Sequence, residues 1–146
     1  MRVRIVAVGT RMPGWVTQAY DDYTRRLRSH LRIDLEELAV GKSRADEEKR
    51  LLDRVGDDYL VTLDEHGKSL TTVELAKWLA QRQQDGRNLS FVIGGPDGLG
   101  ADILKKASLR WSLSALTFPH AMVRVILAEQ LYRAHSVLQN HPFHRE

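Results

Sequence analysis

Short apolar runs that end at glycine or a polar loop alternate along this chain with helix-patterned stretches, and the connections between them are brief. Arg2–Val8 alternates polar and apolar residues, then turns wholly apolar until Gly9, and reads as a strand. Pro13 suits the first turn of a helix to about Arg28, with Trp15, Tyr20, Tyr23 and Leu27 as its apolar marks. Leu31, Ile33 and Leu35 recur at every second position, so a second strand is expected toward Val40. Ser43 then opens a helix with Asp46 in its first turn, where the dipole favours a carboxylate, and that helix ends near Val55-Gly56.

The cycle repeats. Tyr59–Leu63 is a compact strand, and Glu65-His66-Gly67-Lys68 is expected to turn the chain. Thr71-Thr72-Val73-Glu74 is a capping-box pattern for a helix through Gln84, closed by Asp85-Gly86. Leu89–Ile93 is a strand of the continuous kind expected where both sheet faces are covered. A short helix around Ala101–Ala107, a strand Arg110–Ala115 and a last helix from about His120 to Gln139 follow. The order βαβαβαβαβα predicts an α/β fold: an open, mostly parallel sheet in a three-layer sandwich, as one domain over residues 1–146. That length buries about 70% of the surface of the unfolded chain.

In the last helix Met122, Val123, Val125, Ile126, Leu127, Leu131, Val137 and Leu138 spread over more than one stripe. A helix so wide in its apolar arc buries two faces. One lies on the sheet, and the partner expected for the other is a second copy of the chain, so a homodimer is predicted.

The chain has no cysteine, which excludes a disulfide framework and thiol catalysis and fits a reducing compartment. No apolar run approaches the roughly 20 residues of a membrane span, and no signal peptide is read at the start, so a soluble, cytoplasmic protein is expected. The net charge of +3 is uneven: residues 1–32 hold seven arginines against Asp21 and Asp22. That asymmetry suits a polyanionic partner such as nucleic acid, and it equally suits a solvated helix face.

Two segments carry most of the chemical information. Gly94-Gly95-Pro96-Asp97-Gly98-Leu99-Gly100 follows a strand, and its glycines let a ligand approach the backbone. It matches neither the dinucleotide nor the P-loop fingerprint, and alone such a run is usually a turn. The second segment, Trp111 to His120, sets Ser112, Ser114 and Thr117 among Leu113, Leu116 and Phe118. Small hydroxyls beside an apolar wall suit adenine and a ribose. A Ser-His nucleophile is disfavoured, because no G-x-S-x-G elbow is present. Six histidines, among them His141-x-x-His144, form no metal-ligand pattern, so no metal is expected. Glu129 and Arg133 stand one helical turn apart and pair on one face. The tail Asn140-His141-Pro142-Phe143-His144-Arg145-Glu146 is cationic and unlike core.

Val6-Ala7-Val8-Gly9-Thr10, Val61-Thr62-Leu63-Asp64, Ile93-Gly94-Gly95-Pro96, Ser112 through His120, Ala128-Glu129-x-Leu131-Tyr132-Arg133-Ala134 and the tail occur in one order over nearly the whole chain. Together they resemble the RlmH-type SPOUT RNA methyltransferases, which methylate N3 of a pseudouridine in large-subunit (23S) ribosomal RNA. The resemblance implies a carboxyl-terminal trefoil knot, built from the loops after Leu63, Gly94 and Leu116. It implies S-adenosylmethionine held by Leu63, Gly94, Leu113, Ser114, Ala115, Leu116, Thr117 and Phe118. It implies an RNA side made of His120, Glu129, Arg133, His144 and Arg145, with the tail crossing to the partner subunit's cofactor. The proton acceptor stays open among His120, His144 and Glu129, and the expected substrate is the assembled ribosome.

The chain departs from that family in two places. Phe143 stands where a tyrosine is expected, and the region around Lys42–Tyr59 is shorter than in close relatives. Two other readings remain at this point: a non-enzymatic basic α/β RNA-binding module, and a small-molecule enzyme of flavodoxin-like form.

Overall fold

A computed structural model of the chain describes residues 1–144. Its strands are β1 (Val3–Val8), β2 (Ile33–Leu38), β3 (Tyr59–Ser69), β4 (Leu89–Ile93) and β5 (Leu109–Ser112). Its helices are α1 (Gly14–Leu27), α2 (Arg44–Val55), α3 (Thr72–Asp85), α4 (Ala101–Lys106) and α5 (His120–Leu138). The five strands form one sheet in the order β2-β1-β4-β3-β5, and every ladder is parallel.

Strand periodicity explains the layers. Val3, Ile5 and Ala7 of β1 join Leu27 of α1, Leu75 and Leu79 of α3, and Leu127 and Leu131 of α5 in one core. Val6 and Val8 point the other way and meet Leu51 and Val55 of α2 and Ile103 of α4. Helices cover both faces, so β1 and β4 are buried along their whole lengths. α5 packs between α1 and α3 as well as on the sheet. The wide apolar arc of α5 therefore finds most of its cover within its own chain.

Caps fall where the sequence places them. The Ser43 side chain accepts from the Asp46 N–H, and Thr71 with Glu74 forms a complete capping box on α3. Gly86 closes α3 in the left-handed region, at φ +74°. α2 is intact, with 12 residues inside the Lys42–Tyr59 region.

Two boundaries differ from the sequence reading. β3 continues to Ser69, through the residues expected to turn. Leu63 and Lys68 both pair with Trp111, so residues 64–67 bulge out of the ladder and the strand resumes beyond them. A Cβ at Gly67 would stand 2.6 Å from the Arg110 carbonyl carbon, so only glycine lets the bulge lie against β5. β5 stops at Ser112 rather than Ala115, because the Ser112 hydroxyl donates to the Ser114 carbonyl at 2.9 Å and bends the chain.

β1 leads to β2 on one side and β4 leads toward β5 on the other, so the topology reverses between β1 and β4. Ligands of open α/β sheets bind beyond the carboxyl ends of the strands at such a point.

Candidate functional site

The bulge within β3 and the loops at the carboxyl ends of β4 and β5 enclose a crevice of about 630 Å³, a size suited to a nucleoside-sized ligand. The β4 loop is a tight turn in which Gly98 N–H donates to the Gly95 carbonyl at 2.9 Å. A Cβ on Gly94 would meet the Gly98 carbonyl carbon at 2.9 Å, so the turn folds back on β4 only because residue 94 lacks a side chain. The loop after β5 is held from within: Leu116 N–H donates to the Ser114 hydroxyl at 3.0 Å. It is also held from outside, since the Thr117 hydroxyl donates to Glu65 at 3.3 Å on the β3 bulge.

The bulge is fixed in turn by Asp64. It accepts from Arg110 at 2.9 Å and from the His66 N–H at 3.1 Å. Burial pushes this carboxyl upward, but the Arg110 hydrogen bond, the His66 N–H and the nearby positive charges outweigh it and hold Asp64 below the usual carboxylate range.

Leu63, Gly94, Leu113, Ser114, Leu116, Thr117 and Phe118 all line this crevice; Ala115 is exposed and does not. The hydroxyls of Ser112 and Ser114 are engaged in shaping their own loop. Loop backbone and the side chains of Arg44, Asp64, Glu65, His66, Asp97 and Arg110 make up the other polar groups at the crevice. Leu116 is a large apolar side chain left 68% exposed on the crevice wall. Apolar walls with backbone donors and acceptors suit an adenosine, so the residues present fit S-adenosylmethionine.

His120 stands at the same crevice, at the start of α5. Its Nε2 lies 2.9 Å from the Val8 carbonyl. A carbonyl only accepts, so Nε2 carries the hydrogen, and in the neutral ring Nδ1 is then the nitrogen with a lone pair.

The remaining candidates gather elsewhere. Glu129 accepts from Arg133 at 2.6 Å and from Gln130 at 2.8 Å, so both of its oxygens are engaged. Arg133 donates to His144 Nδ1 at 3.4 Å and lies 4.7 Å from the centre of the Phe143 ring. Phe143 also meets Tyr132 edge-on at 4.7 Å. Residue 143 thus uses its ring here, and the hydroxyl of a tyrosine is not needed for either contact. None of Glu129, Arg133 and His144 lines the crevice. Arg145 lies outside the described residues. Among the described residues no cluster of His, Cys, Asp or Glu is arranged to hold a metal ion, and no helix is long and apolar enough to cross a membrane.

The amino-terminal arginines are not one patch. Arg4 is buried in ion pairs with Glu36 and Asp58, and Arg25, Arg26 and Arg32 each pair with a neighbouring aspartate. The sequence reading also missed Arg124, which is 1% exposed and the largest fully buried side chain. Its signal was an isolated cation within the apolar run Met122–Leu127, four residues after His120.

Residues 1–144 match the model of the family described as predicted SPOUT methyltransferase. A protein of Alkalilimnicola ehrlichii named ribosomal RNA large subunit methyltransferase H is 49% identical, with 99% of each chain covered. One of the same name from Methylobacillus flagellatus is 47% identical, with 100% of each covered. That comparison spans 155 residues, more than the 146 of this chain, so the relative has residues that this chain lacks. In fold, the chain resembles a probable methylase family protein of Haemophilus influenzae Rd KW20, with TM-score 0.62 and 16% identity over 99% of this chain and 70% of that one. It also resembles a putative methylase family protein of Neisseria gonorrhoeae, with TM-score 0.60 and 11% identity over 99% and 86%. With a family match along all its described residues and near-half identity to full-length relatives, the chain belongs to the SPOUT methyltransferase family.

Proposed function

We propose that this methyltransferase transfers the methyl group of S-adenosylmethionine to N3 of a pseudouridine in large-subunit ribosomal RNA, and that it acts as a homodimer on the assembled ribosome in the cytoplasm. The observation that carries the reading is the crevice itself. It collects seven of the eight residues expected to hold the cofactor, in a chain whose full-length relatives bear the name of a large-subunit RNA methyltransferase. A knotted carboxyl-terminal third, threaded through the loops after Leu63, Gly94 and Leu116, belongs to the same reading.

Leu63, Leu113, Leu116 and Phe118 supply the apolar walls, and the Gly94 turn and the backbone of residues 113–118 supply the polar edges. S-adenosylmethionine brings a methyl already activated on a sulfonium, so the protein's task is alignment and removal of one proton. The N3–H of pseudouridine must lose that proton. His120 Nδ1 is the acceptor: it is at the crevice, and Nε2 is already spent on the Val8 carbonyl. Glu129 is bound at both oxygens and holds Arg133, which suits it to orient a cation rather than to take a proton.

Distance along α5 supports the dimer. His120 and Arg133 are 13 positions apart on α5, about 20 Å along a helix. One chain does not bring both to one base. A second copy, presenting Arg133, His144 and Arg145 to the first copy's crevice, completes the site, and the half-buried Met122, Val125 and Ile126 supply apolar surface for the contact.

The test is incubation of the purified protein with methyl-labelled S-adenosylmethionine and ribosomes lacking the modification, followed by mass spectrometry of the RNA. Label on N3 of one pseudouridine is expected. Absence of label from ribosomes, with the cofactor bound, overturns the substrate; absence of cofactor binding overturns the reading of the crevice.

A further inference from the structure

We propose that Arg124 is a positioning residue that fixes the tautomer and orientation of His120 through the backbone at the exit of β1. The proposal deepens the role given to His120 above, and its kinetic arm rests on that role. His120 and Arg124 stand four residues apart on α5, so they project from one face of the helix. They hold successive carbonyls: His120 Nε2 donates to Val8 at 2.9 Å, and Arg124 Nη2 donates to Gly9 at 2.7 Å. The Gly9 N–H, in the same peptide unit as the Val8 carbonyl, donates to the Leu38 carbonyl at the end of β2. Arg124 Nη1 donates to Glu37, the residue before Leu38. These bonds close a ring through α5, the exit of β1 and the end of β2.

Buried arginine is costly, and it stays charged at any working pH. Its position here explains the cost. Gly9 takes φ +120°, a region open to glycine, so no side chain of its own restricts the backbone there and the hydrogen bonds around it must. A Cβ at residue 9 would lie 3.4 Å from His120 Nε2 and 3.5 Å from Arg124 Nη2, so the two side chains fill the space that the glycine leaves. The next turn is bent as well, with Arg11 at φ +59°. Leu38 holds the Val8 carbonyl's own peptide, Arg124 holds the following one, and Glu37 holds Arg124. The direction of the Val8 carbonyl then decides which His120 nitrogen carries the hydrogen.

The experiment uses the full chain with ¹⁵N-labelled histidine. Long-range proton–nitrogen correlation spectra distinguish the protonated ring nitrogen from the bare one, and a parallel assay gives kcat and KM for methyl transfer to ribosomes. The wild-type His120 ring is expected as the Nε2–H form alone. Arg124→Gln is expected to give a mixture of tautomers and a kcat lower by about tenfold to a hundredfold, the scale of a misplaced reacting group. KM for S-adenosylmethionine is expected to stay within about twofold, since Arg124 does not line the crevice. Arg124→Lys, able to reach one of the two acceptors, is expected to recover part of the loss.

An Arg124→Gln protein with the wild-type ring spectrum, or with wild-type kcat, overturns the proposal; so does a loss that falls on cofactor affinity instead. Where Arg124→Gln does not fold, Glu37→Ala carries the test, and an unchanged spectrum with unchanged kcat there overturns it too. If the wild-type protein labels no RNA, the substrate reading has failed and the ring spectra alone decide this one.

Discussion

Arg4 and Arg124 are both buried, 7% and 1% exposed, but they serve opposite ends of the sheet. Arg4, near the start of β1, meets two carboxylates: Glu36 at 3.1 Å and Asp58 at 2.9 Å. Asp58 also accepts from the Ser90 hydroxyl at 2.7 Å, and Arg4 donates to the Arg54 carbonyl near the end of α2. No member of this group borders the crevice. Arg124 has one carboxylate, Glu37, and spends its other hydrogen bond on the backbone beside the crevice. The same costly device is therefore put to two uses, and the acceptors decide which. Where they are carboxylates and a helix end, the cation joins elements together; where one is a loop carbonyl beside the crevice, it sets the shape of a site.

The sharpest way to break this contrast is Arg4→Met. It leaves the enclosed Asp58 carboxylate without the Arg4 cation, while Glu36 keeps Arg54 at 3.2 Å, and breaking a buried pair from one side costs about 3–5 kcal/mol. The expected result is a large fall in the urea midpoint, with affinity for S-adenosylhomocysteine unchanged in the protein that remains folded. A stable Arg4→Met variant, or one whose main defect is ligand affinity, ends the distinction.

Leu116→Asp probes the other end. Leu116 is 68% exposed, so the substitution is expected to change stability by less than about 0.5 kcal/mol. A charge on the apolar wall of the crevice is expected to weaken cofactor binding by about tenfold or more, read by calorimetry. Equal losses of stability and affinity would show that the crevice wall supports the fold after all.

How much of this was legible beforehand follows the same division. Short-range physics was readable: the capping box at Thr71–Glu74, the apolar runs of β1 and β4, and the Gly94 turn are each written within a few residues. Crevice residues Leu113–Phe118 were legible for the same reason, though Ala115 within them turns away from the cavity. Partners distant in sequence were not. Nothing near Lys68 shows that it pairs with Trp111 after a bulge, and nothing near Arg124 shows that its acceptors stand more than 80 positions earlier. The sequence counts arginines; it does not show that Arg4 is enclosed while Arg11 is open to solvent.

A smaller effect comes from a third buried group on the α1–α5 side. His135 is 7% exposed, and its ring centre lies 4.8 Å from that of His30. Burial first, and then the charge of His30, hold the His135 imidazole below its ordinary value of 6.5. A basic group so depressed takes its proton more readily in the unfolded chain. Its contribution is complete above the unfolded value and is lost as pH falls from there through the folded one. The melting temperature is therefore expected to drop between pH 7.5 and 5.5, and His135→Phe is expected to flatten that slope. An identical slope in the variant would place the acid sensitivity elsewhere.

The smallest expected effect separates a crevice ion pair from the buried ones. Asp64 and Arg110 pair at 2.9 Å, but the Arg110 side chain is 49% exposed, so solvent screens them. Asp64→Asn is expected to cost no more than about 1 kcal/mol at neutral pH. Because the folded carboxyl is held below its ordinary value, the contribution is present above the unfolded value and is lost as pH falls through the folded one, so wild type and variant converge in acid. The two proteins are compared by denaturant unfolding at pH 7 and pH 3. A loss at pH 7 as large as that of Arg4→Met would mean that the bulge at residues 64–67 is part of the structural frame. A small loss that disappears in acid, with weaker cofactor binding, would mark Asp64 as the hinge that holds the bulge, and through Glu65 and Thr117 the loop after β5, against the crevice.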